Sequence, residues 1–425
     1  MKYSVLLAFF LSGHFLFAQT VAIKCGKLID GNSDKPLLNK AIIIDNRKIS
    51  GIVEQENIPA GTAIIDLSDK TVLPGLIDCH THVLLQGDVT SEDYDAQILK
   101  ESIAYRTLLG SVACRIALMN GFTSIRDLGT EGAMYADVDL KNAISNGVIP
   151  GPRMFVATLA INTTGHYPVS NKDYSWELHM PKGLQEITGG DEARKAVREQ
   201  ISYGADWIKI YADRGYYMLS DSSFKSLPNF SKEEVDAVAN ETAVSGKFFA
   251  AHAMTPDGVL YSLNAGARSI EHGPGMNDEC LDLLVKKNAY WCPTATTIDA
   301  VADGRAAIGV PSYKQMYAKL PQTFKKALQK GVKIAFGTDA GGFDWQKIPQ
   351  GREFSFYVKW GMTPMQAIKS ATTVAAELLG KKGQIGELSK GAFADIIAVD
   401  GDPLQDIGNL EKVVFVMKEG KVYKH

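Results

Sequence analysis

The two ends of the chain differ from its middle in the pattern of hydrophobic and polar positions. Short runs rich in β-branched residues, separated by Gly, Asn and Asp, lie at residues 21–29, 41–44, 49–53, 394–399, 413–417 and 421–423. This pattern is typical of short strands joined by tight turns. We therefore expect both chain ends, residues 20–72 and 383–425, to pair into one small β-sandwich domain.

The middle of the chain, residues 73–382, alternates apolar runs with segments of helical spacing. Eight runs have the length and composition of buried strands, at residues 76–79, 123–126, 154–160, 207–211, 248–253, 269–271, 290–294 and 333–337. Helical segments lie between them, at residues 191–203, 232–245, 277–287 and 313–330, and Asp191 and Ser231 are candidate N-caps. This alternation predicts an α/β fold with a parallel sheet. Eight strand–helix repeats favour a TIM-type (β/α)8 barrel, and a doubly wound open sheet is the alternative.

Residues 1–19 have the features of a secretory signal peptide. Lys2 gives the segment a positive start, and residues 5–17 are almost wholly apolar. Ala18 is small enough to precede the signal-peptidase cleavage site, but Leu16, two residues before it, is larger than the small residue that the peptidase prefers there. The run is short for a bilayer span of ~20 residues. We expect a periplasmic or secreted protein that has no membrane contact after leader removal, and an uncleaved anchor is the alternative.

Composition narrows the class of protein further. The chain has 425 residues, 45% hydrophobic and 22% charged, which is enough for one large core, and its formal net charge is −3. It has no basic stripe, which argues against nucleic acid as a partner. The five cysteines are odd in number and lack a framework spacing, so we expect buried small residues, with one undetermined pair able to join in an oxidising compartment.

Polar side chains that can bind a metal fall at the ends of the predicted barrel strands. Because the carboxyl ends of barrel strands meet at one mouth, residues far apart in sequence should form one cluster there. The members of this predicted cluster are His80, His82, Lys209, His252, His272 and Asp339.

The residue types in this cluster suit a metal centre. His80 and His82 are two positions apart, so their imidazoles share one face of an extended segment and can bind a metal such as zinc. Asp339 can bind metal and accept a proton from metal-bound water, or it can be a helix N-cap. Burial would make Lys209 a neutral amine that reacts with carbon dioxide to give a metal-bridging carbamate. Alternatively, Lys209 pairs with a carboxylate such as Asp127.

The combined motifs resemble the amidohydrolase superfamily, in the branch of imidazolonepropionase-like enzymes and bacterial Xaa-Pro dipeptidases. The resemblance covers nearly all of the chain after residue 19. Its motifs lie at residues 26–31, 73–82, 121–129, 207–212, 251–252, 269–273, 337–340, 361–364, 371–372 and 394–397.

The resemblance implies a two-metal centre. His80 and His82 would bind one metal with Asp339, His252 and His272 would bind the second, and carbamylated Lys209 would bridge them. The implied cofactors are two divalent ions, zinc first among them, and carbon dioxide for the carbamate.

The expected function is an exported amidohydrolase that cuts a peptide or N-acyl amino-acid amide bond. Metal-activated hydroxide would attack the carbonyl, with Asp339 as general base and acid. A cyclic-amide hydrolase and a lactone or ester hydrolase are alternatives within the fold. A non-catalytic metal- or solute-binding protein is the alternative from another class, but binding alone does not need Asp339 as a base.

The sequence offers few candidate residues for substrate binding. His166 follows the third predicted strand and can donate to a substrate carbonyl, and Arg214 follows the fourth and can clamp a carboxylate; both can equally be loop residues. Met254 stands where some dipeptidase relatives have tyrosine, which puts Xaa-Pro specificity in doubt. We interpret Arg126 and Asp127 as a structural ion pair. The expected partner is a small molecule or short peptide, and homo-oligomerisation is left open.

Overall fold

The computed structural model of the chain describes residues 20–166 and 174–425. The predicted signal peptide, residues 1–19, lies outside the described residues. The strands are β1 (Val21–Leu28), β2 (Leu37–Asp45), β3 (Lys48–Glu54), β4 (Ala63–Pro74), β5 (Leu76–Thr81), β6 (Phe122–Asp127), β7 (Arg153–Val156), β8 (Ile161–Thr163), β9 (Gln185–Ile187), β10 (Trp207–Tyr211), β11 (Asp213–Met218), β12 (Phe224–Pro228), β13 (Phe248–Ala253), β14 (Ser269–His272), β15 (Tyr290–Cys292), β16 (Lys333–Ile334), β17 (Ile396–Val399), β18 (Val413–Lys418) and β19 (Lys421–Lys424).

Most helices lie between the strands of the middle region. They are α1 (Ser91–Lys100), α2 (Ile103–Met119), α3 (Ala136–Ser145), α4 (Gly189–Ser202), α5 (Lys232–Val244), α6 (Pro256–Ala265), α7 (Asp278–Lys287), α8 (Ala295–Ala307), α9 (Ser312–Lys330), α10 (Arg352–Lys359), α11 (Pro364–Ser370) and α12 (Thr373–Leu378). Ser231 caps α5 as predicted: its hydroxyl accepts a hydrogen bond from the Glu234 amide, and the Glu234 carboxylate accepts one from the Ser231 amide. Asp191 is not a cap, because α4 begins earlier, after Thr188, and Asp191 lies in its first turn.

Strands from both chain ends join in one seven-stranded sheet, in the order β19-β18-β17-β4-β1-β2-β3. The central strand β4 pairs parallel with β1 and antiparallel with β17, so it connects the two ends of the chain. Ile23, Ile42, Val72, Ile396 and Phe415 share a buried core against this sheet. β17 and β18 are almost wholly buried along their length, so the burial of apolar side chains stabilises this sheet.

Apart from the antiparallel pair of β11 and β12, the paired strands of the middle region are parallel, and most of them follow one another in chain order. One sheet runs β5-β6-β7, and a second includes β8, β10, β13, β14, β15 and β16 as successive neighbours, with β9 at its edge. The amide of Cys79 donates to Phe336 O at 2.8 Å, and the amide of Asp206 donates to Val156 O at 2.8 Å. These bonds join β5 to the segment after β16, and β7 to the start of β10. The predicted α/β class is confirmed.

The predicted strands differ from the observed ones where the backbone leaves the extended region. The predicted third strand, residues 154–160, extends only to Val156 at the end of β7, because Thr158 adopts a left-handed φ of 60°, and β8 begins after the predicted range. The predicted seventh strand ends early for the same reason, at Thr294 with a φ of 52°. Apolar content alone does not reveal such breaks, since the side chains on both sides of them remain buried.

The five cysteines are buried and free. Within residues 20–166 and 174–425, no helix is long and apolar enough to cross a bilayer.

The sheet formed by the two chain ends can be tested with matched isoleucines. Replacing Ile396, which is fully buried, with alanine should lower the free energy of unfolding by about 2–5 kcal/mol, because the lost methyl groups leave a cavity. Ile64 on neighbouring β4 is 51% exposed, and Ile64→Ala should change it by less than about 0.5 kcal/mol. Urea unfolding monitored by circular dichroism measures both; equal losses would contradict this packing.

Candidate metal centre and substrate cavity

The structure brings the six residues of the predicted cluster together at one end of the parallel strands. His80 Nε2 lies 3.3 Å from His82 Nε2, and Asp339 Oδ1 lies 3.4 and 3.3 Å from these two nitrogens. Lys209 Nζ lies 3.5 Å from His80 Nε2. The other two histidines adjoin this group: the ring centroids of His80 and His272 are 4.9 Å apart, and those of His252 and His272 are 4.6 Å apart.

The hydrogen bonds of the first two histidines determine which nitrogen can bind a metal. His80 Nδ1 donates to Glu271 Oε2 at 2.9 Å, and His82 Nδ1 donates to Gly129 O at 2.8 Å. Each Nε2 is therefore unprotonated in the neutral ring, and its lone pair faces Asp339. Three electron-pair donors converge within 4.8 Å, an arrangement that a divalent cation relieves. These residues fit a metal ion.

His272 is held in the same tautomer. The hydroxyl of Thr294 donates to Pro293 O at 2.8 Å, so it accepts a hydrogen bond from His272 Nδ1 at 2.7 Å. This leaves His272 Nε2 with a lone pair. His252 Nε2 instead lies 2.7 Å from the hydroxyl of Tyr216 on β11.

Unusual backbone conformations place two of these side chains. His272 and Asp339 have left-handed φ values of 71° and 59°, at a cost of roughly 1–3 kcal/mol each. Two backbone bonds hold the Asp339 segment against β5: the Asp339 amide donates to His80 O at 2.8 Å, and the His82 amide donates to Ala340 O at 2.7 Å. At Gly341 a Cβ would lie 2.3 Å from His82 O, so only glycine allows this close approach.

Burial dominates the proton equilibria of the cluster. It lowers the pKa of His80, His252 and His272 well below the usual range, so the neutral, metal-binding form is favoured. Burial likewise lowers the pKa of Lys209, which favours the neutral amine. Burial, followed by the charge of Asp88, raises the pKa of Asp339 well above its usual range.

A buried polar network beneath the cluster was missed in the sequence. Glu271 Oε1 accepts hydrogen bonds from Arg126 Nη2 at 2.9 Å and from the Ser269 hydroxyl, while its other oxygen holds His80. Arg126 also stacks on Trp207, 4.5 Å from the ring centroid. The signal was available, because Glu271 directly precedes His272 on a predicted strand.

The interpretation of Arg126 and Asp127 as an ion pair was wrong. Neighbouring residues of a strand point to opposite faces, so Arg126 reaches Glu271 while Asp127 Oδ1 accepts from the Val83 amide at 2.8 Å. Lys209 lies beside His80 rather than beside Asp127.

A cavity of about 690 Å³ opens onto the cluster. Arg214 on β11 lines it, and within the described residues its buried Nε has no hydrogen-bond partner. His166 is half-buried beside it, with Nδ1 2.5 Å from the Thr163 hydroxyl; burial, and then the charge of Arg214, lower the pKa of His166. Its neighbour Gly165, rather than His166 itself, is part of the cavity lining.

Other cavity residues were also missed. They are Asp88, Tyr94, Glu131, Tyr211, Tyr216 and Arg305 among others. Glu131 has a recognisable sequence signal, because it follows the end of the second predicted strand, as the metal-cluster residues follow theirs. The tyrosines have none, since aromatic residues next to strands are usually core.

Comparison with known proteins gives the family. The profile of the amidohydrolase family matches residues 71–423. The chain belongs to the amidohydrolase family. This amidohydrolase is 31% identical to ochratoxinase of Aspergillus niger over 437 residues, which cover 96% of this chain and 87% of the ochratoxinase. The crystal structure of that ochratoxinase has a TM-score of 0.81 at 29% identity and covers 96% of both chains.

Two further relatives confirm the predicted branch. The crystal structure of a Xaa-Pro dipeptidase with bound methionine in its active site has a TM-score of 0.86 at 35% identity and covers 96% of this amidohydrolase and 100% of the dipeptidase. Imidazolonepropionase of Streptomyces avermitilis is 25% identical over 385 residues, 85% of this chain and 80% of that protein. The family and these relatives make the protein a hydrolase of carbon–nitrogen bonds.

The support that Glu271 gives to His80 can be measured directly. Glu271→Gln should weaken metal affinity by about 10- to 100-fold, because the imidazole loses the carboxylate that sets its tautomer. Competition with a chromophoric chelator measures the affinity. Glu279→Gln, at an exposed position of α7, is the matched control and should leave it unchanged. An unaltered affinity in a folded Glu271→Gln protein would contradict this role.

Proposed function

We propose that this amidohydrolase is an exported, metal-dependent enzyme that hydrolyses a peptide or N-acyl amino-acid amide bond. The observation that carries the proposal is the convergence of His80 Nε2, His82 Nε2 and Asp339 Oδ1 in a cavity that also holds Arg214. An amide next to a carboxylate would occupy both features. Two similar proteins are named for a dipeptide and for ochratoxin.

The metal centre is assigned as follows. His80, His82 and Asp339 would hold one divalent ion, and His252 and His272 would hold a second. Lys209, whose neutral form burial favours, would react with carbon dioxide, and its carbamate would serve as a ligand shared by the two ions. Zinc suits a site dominated by imidazoles.

The proposed architecture brings these ligands to one mouth. The parallel strands from β5 to β16 would close into a TIM-type (β/α)8 barrel, and the backbone bond from Cys79 to Phe336 supports closure. The barrel would span residues 73–382, with a small β-sandwich from residues 20–72 and 383–425.

Asp339 is the proposed proton carrier. Bound metal ions would make hydroxide available near neutral pH and polarise the substrate carbonyl. Asp339 then accepts the proton of the attacking water and passes it to the departing amine. Burial and the charge of Asp88 raise the pKa of Asp339, and a bound cation would favour its ionised form.

Arg214 and His166 are the proposed substrate-binding residues. The guanidinium of Arg214 would bind the substrate carboxylate and so pair its buried Nε–H. His166 lies close enough to Arg214 for its pKa to respond to the guanidinium charge, and it would donate to the substrate.

Export rests on the leader alone. Lys2, the apolar residues 5–17 and Ala18 favour a cleaved signal peptide and a periplasmic or secreted enzyme. An enzyme in that compartment would act on short peptides or acylated amino acids from outside the cell.

The general function is tested by metal-dependent turnover. Purified protein should hydrolyse members of a panel of dipeptides and N-acyl amino acids, lose activity after chelation, and regain it with zinc or another divalent ion. Release of the amine is measured by chromatography. Lactone and ester substrates in the same panel test the rival hydrolases. Absence of turnover in every metal form would favour a binding protein instead.

The role of Asp339 has its own test. Asp339→Asn should lower kcat by at least about 10²-fold, because no group is left to move the proton. Metal content, measured by plasma mass spectrometry, should fall far less than activity. Asp303→Asn, at an exposed site on α8, is the matched control. Loss of metal together with unchanged activity per bound ion would refute the assigned role.

A further inference from the structure

Glu131 is a buried carboxylate in the substrate cavity that the proposed chemistry does not use. It is 2% exposed and lines the cavity with Lys209 and His272. Tyr94 on α1 donates to Glu131 Oε2 at 2.7 Å, and Tyr211 on β10 donates to Glu131 Oε1 at 2.9 Å. Two separate elements therefore hold this carboxylate in place.

The backbone also keeps Glu131 in the cavity wall. Glu131 has a left-handed φ of 47°. Arg106 of α2 donates to the backbone oxygens of Glu131 at 2.7 Å and Thr130 at 3.1 Å. Arg106 thus holds the main chain at Glu131 and does not bond the Glu131 carboxylate, which lines the cavity.

The positive side chains that influence the Glu131 carboxylate, Arg106 and Lys209, act on it from a distance. The two tyrosine hydroxyls are neutral. The nearby His82 Nδ1 lies 3.5 Å from Glu131 Oε1, but its N–H donates a hydrogen bond to Gly129 O instead. Among the residues that the structure describes, no lysine or arginine forms an ion pair with the Glu131 carboxylate. A buried carboxylate held only by neutral donors is costly unless a positive group joins it.

The proposed metal position does not supply that positive group directly. Glu131 lies next to His82 Nδ1, whereas His82 Nε2 on the other side of the ring faces His80 and Asp339. Glu131 is accordingly outside the group of converging ligand atoms. Its cationic partner should come from the substrate.

We propose that Glu131 is the specificity residue that binds the α-ammonium of a free dipeptide. In a dipeptide the ammonium nitrogen is two bonds from the carbonyl carbon that is attacked, so its partner must adjoin the metal ligands, as Glu131 adjoins His82. Arg214 would hold the carboxylate at the other end. A cavity of about 690 Å³ accommodates such a zwitterion. This inference rests on the proposed amide hydrolysis and narrows it: N-acyl amino acids lack the group that Glu131 binds.

Matched substrates test the inference in the unaltered enzyme. L-Alanyl and N-propionyl derivatives of the same amino acid differ only in the α-ammonium, and phenylalanine, leucine, proline and lysine serve as amino acids. The dipeptides should have kcat/KM values at least about thirtyfold higher than their propionyl partners, because the buried charge pair is lost in the latter. The metal-loaded enzyme is used throughout.

Variants assign the preference to Glu131. Glu131→Gln should lower kcat/KM for the dipeptides by about thirtyfold, mainly through KM, and leave the propionyl substrates within about threefold. Glu131→Asp keeps the charge and should retain part of the preference. Glu233→Gln, at an exposed position of α5, is the matched control and should leave the ratio unchanged.

The outcomes separate this inference from the general function. Equal or better hydrolysis of the propionyl series by the unaltered enzyme would overturn the inference while amide hydrolysis stands. An equal loss for both series in Glu131→Gln, with reduced metal content, would mean that Glu131 only orients His82. Absence of hydrolysis in both series and every metal form would remove the proposed function and this inference together. If Glu131→Gln does not fold, the substrate ratio of the unaltered enzyme and of Glu131→Asp decides.

Discussion

The rest of this structure depends on three electron-pair donor atoms that converge on one point. His80 Nε2, His82 Nε2 and Asp339 Oδ1 lie within 3.4 Å of one another, and none of them carries a proton when the imidazoles are neutral and the carboxylate is ionised. Such an arrangement is repulsive without a cation. The fold maintains this arrangement because each imidazole is fixed by a hydrogen bond to its Nδ1, and Asp339 is fixed by backbone hydrogen bonds of its segment.

The forces that hold the donors are distributed over several strands. Glu271 fixes His80 and is itself neutralised by Arg126, which lies over Trp207. The Asp339 segment is bonded to β5 through His80 O. Most of this network has no access to water, so its charges must be balanced within the protein. Removing one member would leave another buried without a partner.

The cavity above the donors has a different electrostatic character. Its walls include acidic and basic side chains, among them Glu131 and Arg214, that are only partly balanced within the chain. In the proposed function, a zwitterionic substrate would pair with these groups. On this proposal two parts of the site have different tasks: the buried network holds the donor atoms in place, and the cavity walls would select the substrate.

Much of this molecule follows from the order of residue types along the chain. The alternation of apolar runs and helical spacing predicted the α/β class, and the observed α5, α7 and α9 lie within two residues of the predicted helices. The convergence of the six candidate metal ligands was predicted from their positions in or after the barrel strands, since parallel strands bring their carboxyl ends together. Local pattern is sufficient here because strand direction and side-chain alternation are local properties.

Only the tertiary structure decided which partners meet. Arg126 pairs with Glu271, 145 positions away, rather than with its neighbour Asp127, because strand alternation turns the two side chains to opposite faces. Tyr94 and Tyr211 converge on Glu131 from different elements, and no spacing in the sequence encodes that contact. The sequence by itself determined which chemical groups the site contains and that they lie near the carboxyl ends of the parallel strands. Three-dimensional packing decided their pairings, because those depend on how far each side chain reaches between elements.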